Sequence, residues 1–136
     1  MNKIRNIEKI TGLYPEWKPV NIAYIKKLEW KIGKLSIIVL CQLKNKGIDP
    51  KDLSKNFFEA EVIFENVINL KMKFNGRTYQ QVLGFDILDV SQNGLEDINF
   101  EIEDYENGTI HFYCQYIQIE NVSKPDFLDA FAETEG

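Results

Sequence analysis

A chain of 136 residues, 44% apolar and 27% charged, has the size and composition of one globular domain, which excludes a disordered chain and a fold dependent on disulfides or a structural metal. Its net charge of −5 is unevenly placed: residues 1–77 carry 15 basic and 8 acidic side chains, whereas residues 78–136 carry 13 acidic ones against Lys124 alone. The second half should therefore repel nucleic acid and anionic membrane and attract a basic partner, or its outward acidic side chains simply keep a strand-rich protein soluble.

The first residues, MNKIRNIEK, lack the apolar centre of an export signal. The apolar run Ile37–Cys41 is too short to span a bilayer, so a cytoplasmic location is expected. Ile4, Ile7 and Ile10 recur every third position and predict a short helix ending by Gly12, with Pro15 beyond it. Leu13, Tyr14 and Trp17 then form an apolar loop expected to lie against a sheet. Ile22–Trp30 carries a mixed apolar pattern that reads as a strand, punctuated by Gly33-Lys34. Leu35–Leu43, rich in β-branched residues, predicts a central strand. Asn45–Asn56 reads as a polar loop, with one helical turn at Pro50–Ser54.

Ala60, Val62 and Phe64 alternate with Glu61, Ile63 and Glu65. Ile68, Leu70, Met72 and Phe74 alternate with polar residues and give the clearest half-buried strand pattern of the chain. Asn75-Gly76 follows directly and predicts a tight hairpin into Tyr79–Val90, where Gly84 marks a bulge or a close backbone approach.

The segment Ile98–Ile119 permits a finer argument. A two-residue Asn107-Gly108 turn would set Glu103 opposite Phe112 and Glu101 opposite Cys114, mixing charges with core residues on one face. A three-residue loop, Glu106-Asn107-Gly108, pairs Ile102 with Phe112 and Phe100 with Cys114, and puts Gly108 where a left-handed residue is wanted. A one-residue slip flips every side chain, so the apolar pattern selects the three-residue loop. Glu101 then faces Tyr113, and Glu103 faces His111, on the outward side. Tyr105 flanks them, and Asp104 and Glu106 stand at the tip. The tail from Asn121 to Gly136, with Ser123, Pro125, Phe127, Leu128 and Phe131, predicts a short docked helix. The expected fold is mainly β, an antiparallel β-sandwich or strongly curved sheet with short N- and C-terminal helices, in a single domain over residues 1–136.

Little in the chain suggests catalysis. One histidine and two isolated cysteines argue against a metal centre, and no EF-hand spacing is present. The acidic stretch Asp104–Gly108 is better read as a hairpin turn. Cys41 and Cys114 sit among apolar residues and read as core thiols. His111 has no plain nucleophile beside it, and no GxSxG elbow occurs. Glu101 and Glu103 would stand roughly 6.5–7 Å apart, loosely compatible with glycoside chemistry, but outward glutamates on a strand are common. No phosphate-binding glycine pattern appears, and no cofactor is expected. Lys26, Lys27, Lys31 and Lys34, with Lys71, Lys73 and Arg77, read as solvated faces beside strands. What remains is a partner-binding ribbon of Glu101, Glu103, Asp104, Tyr105, Glu106, His111 and Tyr113, combining rigid aromatic side chains with negative charge.

Two stretches carry a family resemblance: ITGLYPEW at Ile10–Trp17, and EVIFENVINLKMKFNG at Glu61–Gly76 followed by the strand-rich run Gln81–Ile119. Together they resemble small bacterial immunity proteins of polymorphic toxin systems, most nearly the immunity protein 50 family. The resemblance implies a non-enzymatic cytoplasmic protein that binds and neutralises a cognate toxin domain, often a basic enzyme, by occlusion. It carries over no catalytic residue. The chain departs from the family pattern in having no tryptophan within Asp49–Phe58. Two other readings stand beside it: a small-ligand-binding or self-assembling β-domain, and a hydrolase using acidic residues.

Overall fold

The computed structural model describes residues 4–42, 57–74 and 79–123. A four-residue helix α1 (Glu8–Thr11) and a 3-10 turn (Pro19–Asn21) precede the strands β1 (Ile22–Lys31), β2 (Lys34–Gln42), β3 (Phe57–Glu65), β4 (Ile68–Met72), β5 (Gln80–Gln81), β6 (Phe85–Asp89), β7 (Phe100–Asp104), β8 (Ile110–Cys114) and β9 (Tyr116–Val122). They build a five-stranded sheet in the order β5-β1-β2-β3-β9 and a four-stranded sheet in the order β4-β8-β7-β6. All strand pairs are antiparallel, and the two sheets pack as a sandwich. The β-branched run that predicts a central strand becomes β2, the middle strand of the larger sheet.

Alternation explains the core. Leu35, Ile37, Val39 and Cys41 of β2, and Phe58, Ala60, Val62 and Phe64 of β3, point inward from the first sheet. Phe100 and Ile102 of β7, and Ile110, Phe112 and Cys114 of β8, answer them from the second. Phe64 and Phe112 meet edge to face across the gap, with ring centroids 4.9 Å apart. Both cysteines are buried and free. Burial pushes each thiol up to about 12, so neither is an available nucleophile near neutral pH.

One strand pair passes from sheet to sheet. In the first sheet β3 pairs with β9, ending at Glu65 opposite Tyr116. In the second β4 pairs with β8, beginning at Ile68 opposite Tyr113. The corner lies at Asn66, whose φ of 57° is left-handed, and at Gln115. Asn66 Nδ2 donates to Gln115 Oε1, and Gln115 N donates to the Glu65 carbonyl at 3.0 Å. Sandwiches and barrels make such corners where a strand bends and changes its facing.

The N-terminal segment closes an exposed edge. Arg5 N donates to the Ile117 carbonyl at 2.8 Å, and Ile119 N donates to the Arg5 carbonyl at 2.9 Å, so the outer edge of β9 is paired. Ile10 of α1 is fully buried. Tyr14 stacks on Phe58 at 3.9 Å and donates its hydroxyl to the Ser123 carbonyl at 3.0 Å. Trp17 Nε1 donates to Cys41 Sγ at 3.4 Å. The apolar loop thus packs on the core through Tyr14 and Trp17, while Leu13 stays exposed.

Two expectations fail around β4. Its alternation does not make a half-buried strand: Ile68 and Met72 are 42% and 46% exposed, and only Leu70 packs against the core. Asn69 takes a φ of 56°, and the register against β8 shifts between Ile68 and Lys71, so the two ends of this edge strand do not share one inward face. Nor does β4 form a hairpin with the strand after it. Its partner is β8, while β5 pairs with β1 and β6 with β7. The Asn75-Gly76 turn, the helical turn at Pro50–Ser54 and the C-terminal helix lie outside the described residues. Ser123, expected as a helix cap, accepts a hydrogen bond from Glu59 N at 2.8 Å through its hydroxyl. Among the described residues no helix is long and apolar enough to cross a membrane.

Candidate functional site: an acidic and aromatic ribbon

The β7–β8 register is the one the apolar pattern selects: Ile102 opposite Phe112, Phe100 opposite Cys114, Glu101 opposite Tyr113 and Glu103 opposite His111. Gly108 takes the left-handed φ of 63° that the three-residue loop demands. With the core residues turned inward, Glu101, Glu103, His111 and Tyr113 fall on the outer face, each half-buried among its neighbours.

These four side chains interact. His111 Nε2 lies 2.7 Å from Glu101 Oε2, diagonally across the strand pair and not straight across to Glu103. A carboxylate only accepts, so Nε2 carries the proton in this contact. The imidazole stands edge-on to the Tyr113 ring, 5.2 Å between centroids. The negative charge of Glu101 holds the Tyr113 phenol above its ordinary range, with lesser contributions from burial, its hydrogen bond to Glu101 and the charge of Glu103. Tyr113 therefore stays a neutral donor, and Glu101 is the shared acceptor of the ribbon. One donor atom each from Glu101, Glu103 and His111 lies within 4.8 Å of the others, a convergence the separate strand positions did not suggest.

Asp104 requires a correction. It is not at the tip of the ribbon but fully buried, because the alternation that turns Phe100 and Ile102 inward turns Asp104 inward too. Its Oδ1 accepts from Ile110 N at 2.9 Å, and its carbonyl accepts from Gly108 N at 2.8 Å, so it holds the hairpin loop together. Among the described residues Oδ2 has no hydrogen-bond partner. Tyr105 and Glu106 are exposed at the loop, Tyr105 at 64%. The Tyr105 ring covers Gly84, where an added Cβ would lie 2.8 Å from it. Gly84 lies in the break between β5 and β6 and not inside one strand, and the close approach there is from this ring.

The flanks of this face lie outside the expected site residues. Register across β4, β8, β7 and β6 sets Lys71, His111, Glu103 and Asp86 in one row, and Ile68, Tyr113, Glu101 and Leu88 in the next. The signal lay in β6, where inward Phe85 and Ile87 require Asp86 and Leu88 to face out. The outcome is an open face with charge along its middle and exposed Ile68 and Leu88 at its sides. Shallow depressions of about 210 and 240 Å³ occur elsewhere, on the first sheet near Glu61, and do not include the ribbon. In comparisons with known proteins, no family model, no curated protein and no solved structure matches the chain.

Proposed function

We propose that the chain is a cytoplasmic, non-enzymatic immunity protein that neutralises a basic toxin domain by covering it with the outer face of the second sheet. The observation that carries this reading is the ordered ribbon of Glu101, Glu103, His111 and Tyr113, flanked by exposed Ile68 and Leu88. Fixed aromatic rings supply contact area at low entropic cost, and the carboxylates steer a cationic partner. Tyr105 and Glu106 extend the surface at the hairpin tip. The two glutamates stand on the outer face of the second sheet, where their charge is presented to a cationic partner.

The test is co-expression with any toxin-like polypeptide found encoded beside this chain. The reading expects rescue of growth and a stable complex that weakens with salt. Growth arrest despite full expression of both chains, with no complex by light scattering, would sink it.

A further inference from the structure

We propose that Glu101, Glu103 and His111 form a surface site for a first-row divalent transition ion of the zinc class. The donors come from adjacent strands whose register is fixed by the core residues behind them, so the backbone positions do not need to move. Ligands on a zinc-class ion sit about 2.0–2.2 Å from it and hence about 3–4 Å from one another. The three donor atoms here already lie within 4.8 Å of each other, and the glutamate side chains close the difference by rotation about their own bonds. The ion would take the place of the His111–Glu101 hydrogen bond, with the imidazole proton resting on Nδ1 and Nε2 presented as the ligand.

Charge favours the same conclusion. Glu103 has no ion pair among the described residues, and Asp86 stands directly across from it in β6. Lys71, opposite His111 in β4, is the one cation in that row. One imidazole with two carboxylates suits zinc, cobalt or nickel, whereas calcium takes six to eight oxygen ligands and magnesium a near-ideal octahedron. Three protein ligands leave a coordination position open to solvent or to a group brought by another molecule. This inference does not rest on the toxin-binding reading, because it concerns the chain alone.

The experiment titrates the untagged chain with zinc by calorimetry and with cobalt by visible absorption, with magnesium and calcium as controls. His111 is the only histidine, so its imidazole resonances report the site without assignment ambiguity. Saturable binding of one zinc per chain is expected, with perturbed His111 resonances and no comparable response to magnesium or calcium. Glu103→Gln and His111→Gln should each weaken zinc binding by more than the roughly 10–100-fold typical of losing an outer-shell partner. Glu96→Gln removes the same charge from an exposed loop and should leave binding unchanged. Thermal melts confirm that each variant is folded. No saturation by millimolar zinc, or equal weakening by Glu96→Gln and Glu103→Gln, would overturn the site.

Discussion

Gly84 and Tyr105 show how much one position can depend on a distant one. Gly84 has a φ of 70°, and its missing Cβ leaves the space that the Tyr105 ring occupies. Gly84→Ala should cost about 1–3 kcal/mol in urea unfolding, from left-handed strain together with the clash. Adding Tyr105→Ala should recover part of that loss, because it removes the clash and leaves the strain. Asp104 makes a contrast with its neighbour Glu106. Asp104→Ala strips the acceptor from Ile110 N inside the hairpin and should destabilise by about 1–3 kcal/mol. Glu106→Ala, at an exposed position, should stay within about 0.5 kcal/mol of the parent. The cysteines give a pH signature. Both thiols are raised to about 12 by burial, so their contribution is full below the unfolded value near 9 and is lost as pH rises toward 12. The unfolded chain releases these protons first, at up to about 1.4 kcal/mol per pH unit per thiol. Urea melts between pH 8.5 and 10.5 should show a smaller loss of stability for the Cys41→Ala/Cys114→Ala variant than for the parent.

The β7–β8 hairpin was legible in the sequence because its two candidate registers differ in physical cost: one sets charges beside phenylalanine, and the other separates them. The corner at Gln115 also left a trace. Inward residues run Ile110, Phe112, Cys114 and then Ile117 and Ile119, a change of phase that marks the strand's passage between sheets. β4 misled for the opposite reason. Its alternation is regular, but an edge strand with a left-handed residue inside it need not bury the face its pattern suggests. The Asn75-Gly76 signal was local, whereas partner choice depends on strands over thirty residues away, to which turn chemistry is blind. The corner can be tested directly. Asn66→Gly should be tolerated within about 1 kcal/mol, since glycine accepts the left-handed φ, whereas Asn66→Val should lose at least about 1 kcal/mol more by thermal melting.

Part of the chain's charge asymmetry appears as a difference between sheet faces. The second sheet's outer face draws its carboxylates from β6 and β7, with Glu101, Glu103 and Asp86 set across neighbouring strands. The first sheet mixes its charges and pairs several of them, as in Lys26 with Glu59 and Lys31 with Glu29. The asymmetry was visible in composition, but that Glu101, Glu103 and Asp86 share one face required the β6–β7 register, because residues 78–136 also supply β9 to the other sheet. Under the proposed function the ribbon face meets the partner. The deciding quantity is the dissociation constant, for a toxin-like domain found in the adjacent gene, of Glu103→Lys, Tyr113→Ala and, on the first sheet, Glu29→Lys. Each ribbon variant should bind at least about tenfold more weakly, corresponding to about 1.4 kcal/mol, with Glu29→Lys near the parent. Tight binding by folded ribbon variants, with affinity lost instead in Glu29→Lys, would contradict it.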